Sequence, residues 1–331
     1  MSLQKFVKAA TVNDLLQKGL VNTQGIRLLD CTYSVTQKLD WKRFEEELHG
    51  KFELLHHAPT QSKKLYLSGH VPQAVHMSLD AVMYPSKYER FAMYPPELFE
   101  KYIQLLGVNK GEHVILYSRG ALGGMMFSSK CAWLFKSYGH EKVSVLDGGF
   151  ASWQKNGFEI STDDVQLPAG NWKATDAINR YNVKYEEFSI NKVEEGEMTK
   201  EETFEKTEET NFFDSRGRGQ FNGTEDTGLD PYRVGGSYIP GFKNAPANEL
   251  FKPDGFIKSP EEIAKWLNEN GYDKRKPVVT SCNVGLTASL LAYAINGVVE
   301  GTPRLYNGSL KELEIRAPKT ISGGSIHLPS A

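Results

Sequence analysis

The stretch Lys276–Asn296, KPVVTSCNVGLTASLLAYAIN, decides the fold. Its opening, Val278-Val279-Thr280, is β-branched, too short for a helix and bounded by Pro277, which predicts a buried strand. Its close, Ser289–Ile295, is rich in helix formers and stopped by Asn296-Gly297, which predicts a helix. A tight loop, Cys282-Asn283-Val284-Gly285-Leu286-Thr287, joins the two. A cysteine at such a junction faces the unpaired N–H groups of the helix and the positive end of its dipole. That setting suits a negatively charged sulfur nucleophile, so Cys282 is the expected nucleophile of the chain.

Working outward, the same strand-to-helix alternation recurs. Ile26–Asp30, His113–Tyr117 and Val143–Leu146 are short apolar runs that predict buried strands. Val12–Leu20, the charged stretch Leu39–His57, Glu97–Leu106 after Pro95-Pro96, and Ser128–Tyr138 predict helices. This order predicts an α/β domain with a mainly parallel sheet flanked by helices. From Glu159 to Asn179 the periodicity fails and Pro, Gly, Asn and Asp collect, as in a linker.

The second half repeats the first. Asn182–Val193 is expected as a leading helix, and Asn211–Asp214 mirrors the strand ending at Asp30. Ser237–Gly241 mirrors Gly69–Gln73, Pro277–Cys282 mirrors His113–Ser118, and Asn307–Leu310 mirrors Asp147–Phe150. Ser259-Pro260-Glu261-Glu262 is a helix-start signal for a helix through Leu267. Matching order with a modest drift in spacing predicts a tandem duplication: residues 1–160, a linker at 161–179, and residues 180–331. Only the second copy has a cysteine at the strand-to-helix loop; the first has Ser118 followed by Arg119-Gly120-Ala121-Leu122-Gly123-Gly124.

Composition bounds the function. With 331 residues, 40% hydrophobic and 24% charged, the chain has the make-up of a soluble two-domain protein. A net charge of −2 supplies no general drive toward nucleic acid or an anionic membrane. No apolar run is long enough to span a bilayer, and the N-terminus lacks the apolar core of a secretory signal. Three scattered cysteines, Cys31, Cys131 and Cys282, point away from a disulfide framework and toward a reducing compartment. Cytoplasm is the expected location, with mitochondria left open, and a monomer or weak oligomer is expected. The histidines show no metal-ligand spacing with the cysteines, so neither metal nor cofactor is expected.

The plain alternative for Cys282 is inert packing beside an apolar strand. Three local features favour chemistry. Gly285 allows the backbone to curl into an anion nest, Thr287 places a hydroxyl at the helix start, and the loop follows the carboxyl end of a strand.

The motifs together resemble those of the tandem-domain rhodanese family, the thiosulfate and 3-mercaptopyruvate sulfurtransferases. The markers are Gly69-His70-Val71-Pro72, Val145–Phe150 with Trp153, Asp214-Ser215-Arg216, Ile239-Pro240-Gly241 and the C-x-x-G-x-T loop Cys282–Thr287. The resemblance implies two rhodanese-like α/β domains, the second one active. It also implies a Cys282 persulfide that carries sulfur from a small-molecule donor to cyanide or a thiol, either a small thiol or a thioredoxin-like protein. The loop residues Asn283, Val284, Gly285, Leu286 and Thr287 would hold the substrate, and His70 would act as general acid and base. Asn283 and Val284 replace both the cationic pair of the thiosulfate-type loop and the hydroxyl of the mercaptopyruvate-type loop. Gln220 stands where an arginine for the donor carboxylate is expected, so Arg218 or Arg233 is the expected substitute. Tyr238 stands where the second copy would carry a histidine. With no charge in the loop, the monoanion 3-mercaptopyruvate is the expected donor over the dianion thiosulfate.

Two further readings stand beside this one. A sulfur-relay or binding protein with weakened turnover fits the departures at Val284, Gln220 and Tyr238. A dual-specificity phosphatase would need C-x5-R, but Ala288 occupies that position and no arginine lies between Cys282 and Asn296.

Overall fold

The computed structural model describes residues 3–23, 25–35, 39–188, 208–226 and 237–323. The chain forms two compact units. The first comprises Met1–Tyr84, Met93–Ile178 and Phe251–Ile257; the second comprises Pro85–Ala92, Asn179–Leu250 and Lys258–Ala331. Each unit therefore includes a short run from the other half of the sequence.

In the first unit, β1 (Phe6–Val7), β2 (Ile26–Asp30), β3 (Val75–His76), β4 (His113–Tyr117) and β5 (Val143–Leu146) form a sheet in the order β1-β5-β4-β2-β3. Every neighbouring pair is parallel. The inner strands β2, β4 and β5 are buried along their whole length, as parallel strands covered on both faces must be. Helices α1 (Ala9–Gln17), α2 (Pro96–Leu105), α3 (Met126–Ser137) and α4 (Gly149–Lys155) belong to this unit. Val12, Leu15, Leu28, Ile115, Phe150 and Trp153 share one core cluster.

The second unit repeats this plan. Strands β6 (Asn182–Val183), β7 (Asn211–Asp214), β8 (Lys243–Asn244), β9 (Val278–Ser281) and β10 (Arg304–Tyr306) run in the order β6-β10-β9-β7-β8, again all parallel. Strand for strand, this is the order of the first sheet. Helices α5 (Pro260–Glu269), α6 (Thr287–Ile295) and α7 (Ser309–Arg316) belong to this unit. The start of α5 is the expected capping box. Ser259 Oγ accepts the Glu262 N–H at 3.2 Å, and Glu262 Oε2 accepts the Ser259 N–H at 2.7 Å.

Three expectations change. The stretch Leu39–His57 is two helices, Trp41–Glu47 and Phe52–His57, because the chain turns at Leu48–Lys51 around Gly50. Asn182–Val193 does not begin as a helix: Asn182 and Val183 pair with Leu305 and Tyr306 as an edge strand, and a helix follows at Tyr185–Phe188. Residues 189–193 lie outside the described residues. The stretch expected as a linker is laid against the first unit. Trp172 is buried, its N–H donates to Val108 O, and its indole N–H donates to His140 Nδ1 at 3.1 Å.

His76 of β3 and His56 are buried with ring centroids 6.5 Å apart, and the Tyr66 ring lies 5.2 Å from that of His76. Burial, reinforced by Lys63, pushes His56 from 6.5 down to about 4 and His76 down to about 3. Both rings are therefore neutral in the folded unit when the unfolded chain has begun to bind protons. Their contribution to stability is complete above about pH 6.5 and is lost as the pH falls toward the folded values. Asp30, raised by its own burial, has the opposite slope, so the test is a difference. In thermal unfolding from pH 7 to pH 5, His76→Phe gains stability relative to the wild type as the pH falls. A gap between the two proteins that does not change with pH contradicts the assignment.

Candidate active site

Cys282 follows the last residue of β9, at the carboxyl edge of the second sheet. Its side chain is 3% exposed. The loop it opens runs into α6, and Thr280 Oγ1 ties strand to helix by donating to Ala288 O at 3.0 Å. At Gly285 the chain turns through φ +75°, a conformation that L side chains rarely adopt. The turn directs the Gly285 N–H onto Cys282 Sγ at 3.1 Å. Space reinforces the choice of glycine, since a Cβ there would lie 2.6 Å from Asn307 O and 2.7 Å from Asn307 Oδ1.

Turns after the neighbouring strands flank the loop. On the β10 side, Cys282 N–H donates to Ser309 Oγ at 3.1 Å, while Leu310 N–H and Lys311 N–H donate to the carbonyls of Cys282 and Asn283, each at 3.0 Å. Asn307 is itself fixed: its Nδ2 donates to Phe91 O at 2.8 Å and to Glu89 Oε1 at 3.0 Å, both from the run Pro85–Ala92. On the β7 side, Ser215 N–H donates to Ser281 O at 2.9 Å, and Ser215 Oγ lies 2.9 Å from Thr287 Oγ1. Asn283, Val284 and Leu286 are buried and Thr287 is half-buried.

Next to Ser215, Asp214 and Arg216 form a buried pair. Arg216 Nη2 donates to Asp214 Oδ2 at 2.7 Å and also to Ser237 O, and Nε lies 3.0 Å from both carboxylate oxygens. Arg216 Nη1 is buried and has no hydrogen-bond partner among the described residues. Arg218, by contrast, is half exposed and already engaged. It makes a bidentate pair with Glu249 at 2.6 and 2.7 Å and donates to Asn270 Oδ1 at 2.9 Å. Arg233 lies outside the described residues. Gln220 Nε2 donates to Asp226 O at 3.3 Å, and Tyr238 is partly exposed with its ring near Phe221.

His70 belongs to the first unit and is fully buried there. Its ring stacks on Tyr66 at 4.0 Å, its Nδ1 lies 3.0 Å from Tyr66 O, and its Nε2 has no partner among the described residues. Burial lowers its pKa, so the imidazole is held neutral. Cys31 and Cys131 are buried in the same unit. The loop of the first unit is built for structure. Ser118 Oγ donates to Gly124 O at 2.6 Å and accepts the Ser128 N–H at 3.1 Å, and Arg119 lies 3.9 Å over the Phe150 ring. Neither Ser309 nor Asn307 stands out as a site residue in the sequence; what marks them is the conformation of the turn they occupy.

A loop of this shape, holding a cysteine at the carboxyl edge of the second of two like parallel sheets, points to a class of protein, and similarity to known proteins points to the same one. Residues 14–156 match the rhodanese-like domain. The chain is 53% identical over 331 residues to the Caenorhabditis elegans protein mpst-1, provisionally named a thiosulfate sulfurtransferase, covering 99% of this chain and 100% of that one. It is 30% identical over 253 residues to the 3-mercaptopyruvate sulfurtransferase of Escherichia coli K12, covering 76% of this chain and 83% of the relative. The fold matches the crystal structure of SseA, a 3-mercaptopyruvate sulfurtransferase from Escherichia coli, with a TM-score of 0.69 at 24% identity, over 93% of this chain and 99% of that one. The chain belongs to the rhodanese family and is a sulfurtransferase of the thiosulfate and 3-mercaptopyruvate type.

The two arginines separate in a stability measurement. Arg216→Ala leaves the buried Asp214 carboxylate without its cation and costs about 3–5 kcal/mol, the range for breaking a buried pair. Arg218→Ala, which removes a solvent-screened pair, costs about 0–1 kcal/mol. Equal losses in chemical denaturation contradict this ranking.

Proposed function

We propose that Cys282 carries the sulfur, and that 3-mercaptopyruvate is the preferred donor. The observation that carries the reading is the Gly285 N–H aimed at Cys282 Sγ at 3.1 Å, at the carboxyl edge of the second sheet. That N–H opposes the negative charge on the attacking thiolate and on the terminal sulfur of the persulfide it becomes.

In the first step the Cys282 thiolate attacks the donor's sulfur and forms an S–S bond. The donor's C–S bond breaks with its electron pair going to carbon, which takes up the proton from the donor thiol, and pyruvate leaves. In the second step a thiolate or cyanide attacks the outer sulfur. It leaves as the acceptor's persulfide or as thiocyanate, and the Cys282 thiolate returns. With thiosulfate the leaving group of the first step is sulfite.

Donor preference rests on charge. Residues 282–287 contain no ionisable group besides the thiol, so a dianion gains no cationic partner from the loop. Among the described residues, Arg218 is taken by Glu249 and Asn270, whereas Arg216, although paired with Asp214, keeps a buried Nη1 without a partner beside the turn that flanks the loop. One guanidinium edge suits one carboxylate.

Steady-state thiocyanate formation with each donor tests this. The expected outcome is a kcat/KM for 3-mercaptopyruvate at least about tenfold above that for thiosulfate, a difference of about 1.4 kcal/mol in transition-state binding. Activity with both is lost in Cys282→Ser. A preference for thiosulfate overturns the donor assignment, and full activity in Cys282→Ser overturns the nucleophile.

A further inference from the structure

The turn after β10 contains a serine in a conformation that serine seldom takes. Ser309 has φ +53°, in the left-handed region. The equivalent residue after β5 in the first unit is Gly149, with φ +54°. The match extends to hydrogen bonding. Phe150 N–H donates to Ser118 O at 3.0 Å, and Leu310 N–H donates to Cys282 O at the same distance. The two turns share this left-handed residue and this hydrogen bond, although the glycine before it differs, Gly148 with φ +78° and Gly308 with φ −64°. The unit without the nucleophile uses the residue that this geometry costs least, and the unit with it does not.

Crowding explains the glycine in the first unit. A Cβ on Gly149 would lie 2.6 Å from Ser118 O. In the second unit a Cβ is present and the conformation is kept, so something offsets the cost. The hydroxyl supplies it: Ser309 Oγ donates its one hydrogen to Tyr306 O at 2.7 Å and accepts the Cys282 N–H at 3.1 Å. Both groups are buried. Donation to Tyr306 fixes the hydroxyl's rotamer and turns its lone pairs toward Cys282. The Cys282 backbone is then held at its N–H by Ser309 Oγ and at its carbonyl by Leu310 N–H. With both held, the Sγ is kept under the Gly285 N–H.

We propose that Ser309 is a positioning residue for the nucleophile. Its hydroxyl fixes the Cys282 backbone so that the sulfur sits against the Gly285 N–H, and the left-handed backbone is the cost of placing that hydroxyl there. The inference rests on the proposed role of Cys282. It concerns the rate at which sulfur is taken up, since Ser309 acts through Cys282.

The test compares wild type, Ser309→Gly and Ser309→Ala in single-turnover persulfide formation with 3-mercaptopyruvate and with thiosulfate. The readouts are thiocyanate released on adding cyanide, the donor concentration at half-maximal rate, and thermal unfolding. Ser309→Gly relieves the backbone and removes the hydroxyl. It is expected to unfold within a few degrees of the wild type while the maximal rate of sulfur uptake falls about tenfold or more, with the half-saturating donor concentration little changed. Ser309→Ala keeps the strained backbone and is expected to lose rate to a similar extent with a lower unfolding temperature. A Ser309→Gly protein that takes up sulfur at the wild-type rate overturns the positioning role. So does a rate loss that appears only as a rise in the half-saturating donor concentration. If the wild type takes up no sulfur from either donor, the persulfide reading itself fails, and that result is distinct from both.

Discussion

β9 lies between β7 and β10, and the candidate site depends on that placement. In a parallel sheet the segments leaving adjacent strands emerge on the same edge, so the Cys282 loop has a turn on either side. Ser215, after β7, bonds to Ser281 and reaches Thr287. Asn307 and Ser309, after β10, press against Gly285 and hold Cys282. The loop itself has little regular structure, and its shape is set from both sides by backbone contacts that only this strand order provides.

The duplicated unit shows what the same frame does when no nucleophile is needed. Ser118 occupies the place of Cys282, and its hydroxyl is spent inside its own loop on Gly124 and Ser128. Asp147 stands where Asn307 stands. It pairs with Lys8 at 2.6 Å and accepts the Ile257 N–H at 2.9 Å, both within the first unit. Arg119 covers Phe150. Polar groups at the carboxyl edge of the first sheet are turned to holding that unit together. In the second, Ser309 holds the Cys282 backbone and the Gly285 N–H meets its sulfur.

The inner strands were legible because their signal is local. Ile26–Asp30, His113–Tyr117 and Val143–Leu146 are continuous apolar runs between turn residues, and they fold with those bounds. The capping box at Ser259 was legible for the same reason. The edge strands Phe6–Val7 and Asn182–Val183 were not, because two residues carry no periodicity and become strands only through the partners they meet. The stretch around Trp172 reads as linker from its composition, yet one buried indole with a histidine partner fixes it to the first unit. At the site, the cysteine, Gly285 and the duplication could be read from spacing. The engagement of Arg218 by Glu249 could not, since their partnership depends on chain segments brought together by the fold. Ser309 could not either, because nothing in its identity announces a left-handed backbone.

Cys282 Sγ is the proposed resting place of the sulfur between donor and acceptor. The most direct measurement is intact-protein mass spectrometry after brief exposure to 3-mercaptopyruvate without acceptor, followed by peptide mapping. A gain of the mass of one sulfur atom is expected, located on the peptide containing Cys282, removed by cyanide and absent in Cys282→Ser. No added sulfur, or sulfur found on Cys31 or Cys131 instead, would contradict it.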